Sequence, residues 1–471
     1  MSLAIGAIMA RRRRYLDLPD PARRDFIKWT VGLGAALGLC PWKVFEVQES
    51  LVGPAVAAAA SCASVNRFVG FVCGNGGHAW NTQLWPYVGQ AAAGAFYAVG
   101  KATMQPKGVG DHDLPLAPDA PRLAGKKMTA FVAGANEQHN TALLKTTAIV
   151  DNGVSMFAAA AAMQTASPTL VPAIAVSQLP YGMAAGAPAV ATVPTAEGMV
   201  DLFDSASSLA GGALANPADA ALFEAYYKAN LSLHRAAARP TMVSSLLTGK
   251  VAANLVGKNL ASQLRPTPAD LARYGITNNT PAKLSSIGTT LITTAKAFAL
   301  NLTSHVMLPA FLDDPHGAFA DMPALTATVQ TYGKMLDAFM ADVMGIDDPM
   351  CAGRRIGDNL VMAWIGDTVK DAFVRSAWPD NTVNAHNVMW VMSNGWTKAG
   401  WFGGLDANNN LSTWNPATGA DTTTGLSSAQ LAMPASAAVL FAVAKGDMRR
   451  VEDFYRGPDI GGVVNVMVTG G

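Results

Sequence analysis

Little of this 471-residue chain is charged: Asp, Glu, Lys and Arg make up 14% of it, and the formal net charge is +1. A general nucleic-acid binder needs an excess of basic side chains to neutralise phosphates, so that class is excluded. Cysteine is nearly absent, with only Cys40, Cys62, Cys73 and Cys351, too few for a disulfide scaffold. Histidine numbers seven and glutamate is scarcer still, so each one that falls at a strand end stands out. No apolar run reaches the ~20 residues that cross a bilayer, and a stable membrane span is not expected. Tandem repeats and heptads are missing, which removes solenoids and coiled coils. Hydrophobic residues, by contrast, make up 50% of the chain, enough for one large core or two domains.

The basic residues are concentrated at the start, in Arg11 to Arg14 and Arg23-Arg24. Residues Ala22 to Lys28, ARRDFIK, lead into the short apolar run Trp29 to Cys40. This is the twin-arginine export pattern, with an apolar core too short for an anchor. Ala57-x-Ala59 or Ser61-x-Ala63 suits signal peptidase. Residues 1–63 therefore read as leader and cleavage region, the twin-arginine translocase as a transient partner, and the mature chain as periplasmic or secreted. Cleavage near Ala63 removes Cys40 and Cys62. Cys73 and Cys351 then either pair in an oxidising compartment or remain unrelated buried thiols.

The organising stretch is NRFVGFVCGNGGHAWNTQLWP, from Asn66 to Pro86. Phe68 to Cys73 reads as a strand covered on both faces, ending in a glycine-rich turn that carries His78. Gly74, Gly76 and Ala79 satisfy a dinucleotide pattern, but Trp85-Pro86 interrupts the helix it needs. Gly94 to Met104 also lacks the acid that would bind a ribose. Further strands are expected at Met128 to Val132, Leu170 to Ser177, His305 to Leu312, Leu360 to Gly366 and Asn387 to Met392. Helices fill the middle, about 196–300, notably Phe223 to Arg235, Met242 to Gln263 and Leu284 to Leu300; others are expected at Pro323 to Met344 and Ser427 to Ala444. The alternation implies an α/β fold with a central, mostly parallel sheet flanked by helices. Asp111-His112-Asp113 reads as a solvated turn, His234 as a structural histidine near a helix end, and Asp406 to Gly425 as a surface loop.

His78, His139, Asp314 with His316, and Asp367 follow four separate expected strands, and parallel strands bring such ends to one edge of the sheet. His386 precedes its strand and joins them only if that strand runs antiparallel. Imidazoles mixed with carboxylates suit zinc or another divalent metal.

With Gly76-Gly77-His78-Ala79-Trp80-Asn81-Thr82, Asn136-Glu137-Gln138-His139, Asp314-Pro315-His316, Gly366-Asp367-Thr368-Val369-Lys370 and Ala385-His386, the chain resembles the uncharacterised, twin-arginine-exported bacterial family of the alkaline phosphatase and sulfatase superfamily. The resemblance implies one such sandwich domain over 64–471, holding Asp314, His316, Asp367 and His386 as metal ligands with His78 and His139 in the same cleft. Glu137 and Lys370 stand where the family carries arginines and are the candidate catalytic side chains. His78 replaces an acid, Asn136 and Gln138 replace serines, and Ala385 replaces another acid. Without the serine, water is the expected nucleophile.

Two functions remain open. One is an exported, metal-dependent hydrolase of phosphate or sulfate esters acting on a small molecule. The other is an inactive pseudoenzyme that serves as a secreted binding or surface-assembly component with a protein partner.

Overall fold

The computed structural model describes residues 62, 65–85, 128–136, 139, 143–164, 169–204, 214, 216–237, 239–371, 374, 377–406 and 408–465. The twin-arginine motif, the connection at 107–127 and Glu137 lie outside the described residues.

Residues 60–208 and 258–471 form one compact unit, and 209–257 belong to a second, smaller one. The larger unit is built on an eight-stranded sheet. Its strands are β1 (Arg67–Val72), β2 (Met128–Ala135), β3 (Ala173–Val176), β4 (Ala191–Val193), β5 (His305–Pro309), β6 (Leu360–Ile365), β7 (His386–Met392) and β8 (Gly400–Phe402). Their order is β8-β2-β7-β6-β1-β5-β3-β4. Every neighbouring pair is parallel except those of β7, which runs antiparallel to β2 and β6. All six strands expected from apolar runs lie in this sheet, so the fold is α/β with a large, mostly parallel mixed sheet. The two unexpected strands, β4 and β8, are the short edges.

The helices that matter for the site and the core are α1 (Ala79–Leu84), α2 (Met156–Gln164), α3 (Pro217–Ala236), α4 (Pro240–Leu255), α5 (Ala282–Ala299), α6 (Met322–Gly345) and α7 (Ser428–Val443). All six residues of β1 are buried because helices cover both faces of the sheet. On one face Phe68, Val72, Val361, Ile365 and Met389 pack with Phe157 of α2 and Leu440 of α7. Gly70 permits this close approach, since a Cβ there would lie 2.7 Å from the Phe157 ring. On the other face Phe71 stacks on Trp364 at 4.6 Å, and Trp85 meets the same indole edge-on at 4.9 Å. The Trp364 indole N–H donates to the Tyr332 hydroxyl of α6 at 2.8 Å, satisfying the polar atom that burial would otherwise leave unpaired. Each such ring contributes roughly 1.5–3 kcal/mol by leaving water.

In the smaller unit, α3 and α4 pack on one another. Asn216 caps α3 by accepting from the Ala218 N–H at 3.0 Å, with Pro217 in the first turn. Lys250 pairs with Glu224 at 2.8 Å across the two helices. Among the described residues no helix is long and apolar enough to cross a membrane.

At the edge where β1 begins, Arg67 and Asp348 form a buried ion pair at 2.8 Å, and Asn359 donates to the same carboxylate at 2.7 Å. Beside it Cys62 is bonded to Cys351. Cleavage near Ala63 would remove the first cysteine of this bond. Cys73 cannot be the partner of Cys351, because it follows β1 at the opposite end of the strand, buried and free, with Asn81 donating to its Sγ. A chain cleaved as expected would keep this bond only if cut at Ala57-x-Ala59 rather than at Ser61-x-Ala63.

Peptide mapping of non-reduced protein should therefore recover Cys62 linked to Cys351 and, among the described residues, a free thiol at Cys73. Cys351→Ser should lower unfolding stability by about 2–5 kcal/mol. Stability should also fall in mild acid. His78, His305 and His386 are fully buried, and burial pushes their pKa values down from 6.5 to about 4, 3 and 4. Below pH 6.5 the unfolded chain takes up protons that the folded chain refuses. Stability is therefore full above that pH and is lost as pH falls toward 4, at no more than about 1.4 kcal/mol per pH unit for each ring. His305 has no partner at either ring nitrogen, so urea melts of His305→Leu should show a shallower loss between pH 7 and pH 5 than the parent.

Candidate functional site

The loops at the C-terminal edge of the parallel strands carry the polar side chains. β1 ends at Val72, and the chain turns through Asn75 and Gly76, both with positive φ (54° and 78°), into α1. His139 follows β2, Asp314 and His316 follow β5, and Asp367 and Lys370 follow β6. Because β7 is antiparallel, the segment leading into it approaches the same edge and brings Asp380.

His139, Asp314, His316 and Asp380 each offer one ligand atom, and these four atoms lie within 4.8 Å of one another. Asp314 Oδ2 is 3.1 Å from His139 Nε2 and 3.0 Å from His316 Nε2. Asp380 Oδ2 is 3.3 Å from the first ring and 3.7 Å from the second. The other nitrogen of each ring is held from behind. His316 Nδ1 faces the Ala377 carbonyl at 3.0 Å, and His139 Nδ1 faces Asp367 Oδ2 at 3.4 Å. The Ala377 carbonyl at Nδ1 and the Lys370 ammonium at Nε2 fix the proton of the neutral His316 ring on Nδ1, whereas His139 faces carboxylate oxygens at both nitrogens, and a cation at its Nε2 would put the proton on Nδ1, against Asp367. With both rings in that form the Nε2 lone pairs and the facing carboxylate oxygens repel, a repulsion that Lys370 relieves at His316 and that a cation would relieve at His139.

The donor set fits a divalent first-row ion such as zinc: two neutral imidazoles, two carboxylates, and an orienting acceptor behind each ring. With neutral rings, Asp314, Asp367 and Asp380 against Lys370 leave a charge of −3 + 1 = −2, which one divalent ion balances. Gly76 forms part of the wall. A Cβ there would lie 2.9 Å from His139 Cε1, 3.0 Å from Asp314 Oδ1 and 3.1 Å from Lys370 Nζ, so only glycine clears the cluster.

Lys370 closes the inner side. Its side chain is 0% exposed, and its Nζ donates to Asp314 Oδ1, to Asp380 Oδ1 and, at 3.0 Å, to His316 Nε2. Burial pushes the Asp314 carboxyl up, but the hydrogen bond and charge of Lys370 outweigh it and hold the pKa below the ordinary carboxylate range. Asp367 differs. Burial raises its pKa against the Gly76 N–H, which donates to both of its oxygens at 3.0 and 3.1 Å, and against the neighbouring His139 ring. Lys370, Trp378, Asn384 and Ala385 all have positive φ between 36° and 65°, a conformation that costs side-chain-bearing residues ~1 kcal/mol or more each and concentrates at functional sites.

Of the residues expected from sequence, the structure brings together His139, Asp314, His316, Asp367 and Lys370. Their roles shift. Asp367 stands behind His139 as an orienting group, not in the four-ligand set. The three donors of Lys370 are all engaged, so it does not present a free cation to a substrate. His78 and His386 lie at the same edge but outside the ligand set. His78 Nε2 faces the Val388 carbonyl at 2.6 Å, and its Cβ fills the space that a side chain at Gly366 would need. His386 enters an antiparallel strand, as its inclusion required, yet it is buried with Nδ1 facing the Val383 carbonyl at 2.9 Å. Asp380 was missed. Its only sequence signal is a carboxylate next to Pro379 in the connection between two strong strands.

Comparison with protein-family models, curated proteins and solved structures finds no match for this chain. The fold and the site therefore define it no further than an α/β protein with a histidine and aspartate cluster at the C-terminal edge of its sheet.

Zinc titration of purified protein should separate the roles. Asp314→Ala or Asp380→Ala, each losing a ligand, should weaken binding more than Asp367→Asn, for which the loss of an orienting group predicts about 10–100-fold. An Asp380→Ala variant that binds zinc as well as the parent would remove Asp380 from the ligand set.

Proposed function

We propose that the protein is an exported, metal-dependent hydrolase of phosphoric or sulfuric esters, related in design to the alkaline phosphatase and sulfatase superfamily, with one divalent ion at the His139, Asp314, His316 and Asp380 cluster. The observation that carries this reading is the convergence of the four ligand atoms with each Nδ1 already held by an acceptor. A divalent ion in such a site polarises an ester oxygen and makes a water more acidic.

The chain's own residues hold and expose the site. Asp367 and the Ala377 carbonyl fix the two rings, Lys370 offsets one carboxylate charge, and Gly76 keeps the approach clear. The ligand side chains are 27–45% exposed, so a small ester can reach them from solvent. None of the cluster residues is a serine or threonine, which favours direct attack by water over a covalent enzyme intermediate. Export to the periplasm or beyond is supported by ARRDFIK and by the Cys62–Cys351 bond, which persists in oxidising compartments.

One observation favours the inactive binding component instead. Lys370 already engages Asp314 and Asp380, which partly compensates the carboxylates without any metal. Metal content and turnover distinguish the two. The purified exported protein should contain or bind one divalent ion per chain and hydrolyse p-nitrophenyl phosphate or sulfate, with activity lost on chelation and restored by zinc or manganese. A protein that binds metal but turns over neither ester supports the binding component, and one that takes up no divalent metal sinks the hydrolase.

A further inference from the structure

The two aspartates of the cluster divide their oxygens between different partners. Oδ2 of Asp314 and of Asp380 face the histidine Nε2 atoms, whereas both Oδ1 atoms face Lys370. Each carboxylate therefore bridges an ammonium on its inner side and the ligand cluster on its outer side. Lys370 is fixed in that place: its side chain is fully buried, its backbone is left-handed at φ 65°, and its own N–H is received by Thr368 Oγ1 at 3.1 Å. His316 Nε2 lies 3.0 Å from the same ammonium, and its single lone pair can serve the ammonium or an ion but not both.

We propose, resting on the metal reading above, that Lys370 is a built-in cation that shares Asp314 and Asp380 with the divalent ion and competes with it for His316 Nε2, and that it confines the site to one weakly held, exchangeable ion. A positive charge a few ångströms from a divalent ion opposes its binding by Coulomb repulsion. It also draws electron density from the shared carboxylates. The ammonium fills the inner side of both aspartates, where a second ion would need the Oδ1 atoms. Lys370 thus acts through the ligands as a positioning and tuning residue.

The test is calorimetric titration of the exported protein with zinc alone, comparing the parent with Lys370→Met and Lys370→Gly. Methionine keeps the length without the charge, and glycine also relieves the left-handed backbone; the near-ultraviolet dichroism of the tryptophan cluster reports whether each variant is folded. The parent should bind one zinc, and the folded variants should bind it roughly tenfold tighter or more, since a repelling charge is gone. A lysine that merely braces the loops predicts the opposite, weaker binding in both variants. Unchanged or weakened affinity, or a parent that takes two ions, overturns the proposal while leaving the metal site standing. No zinc binding by parent or variants defeats the metal reading itself, and this inference with it.

Discussion

Carboxylates placed a few ångströms apart repel, by about 4 kcal/mol per pair at the effective dielectric of a protein surface, and the loops at the C-terminal sheet edge are arranged around that repulsion. Asp314 and Asp380 are relieved by one buried ammonium, and Asp367 by the Gly76 N–H and His139. These solutions depend on the backbone. Gly76 must lack a side chain, and Lys370 must sit in a left-handed conformation for its side chain to reach inward. The sheet makes this affordable, because β1, β5 and β6 deliver three of the loops from a rigid, fully covered core.

The fold was legible where burial is two-sided. A strand covered on both faces is mostly apolar, and Phe68 to Cys73, Leu360 to Gly366 and Asn387 to Met392 show that pattern, with Asn387 the one polar side chain among them, because a polar group between two helical layers is costly without a partner. The three-residue edges β4 and β8 carry no such run. Met242 to Gln263 reads as one helix, yet the chain breaks after Leu255, where Gly257 adopts positive φ. Local periodicity registers apolar spacing but not the tertiary reason for that turn.

For the site, the sequence located loops better than side-chain directions. His139, Asp314 and His316 lie where strand ends predict them. His78 and His386 share that edge but are buried, His78 packed against Gly366 and Trp390 and His386 turned to the Val383 carbonyl, choices that spacing does not encode. Asp380 belongs to no strand end. It reaches the cluster because the connection before β7 contains left-handed residues and because β7 runs against its neighbours, and neither is visible as a motif.

The bond between Cys62 and Cys351 has a mechanical consequence. Cys62 lies just upstream of β1, and Cys351 sits in the connection that leads into β6, the neighbour of β1. Tension applied to the chain ahead of Cys62 would thus pass through a covalent link into that connection, bypassing the hydrogen-bonded ladder of β1. Held at a surface by its N-terminal side, the oxidised molecule would carry load without peeling its central strand. Reduction of this one bond would turn the same pull into an unzipping force on the strand that positions Gly76.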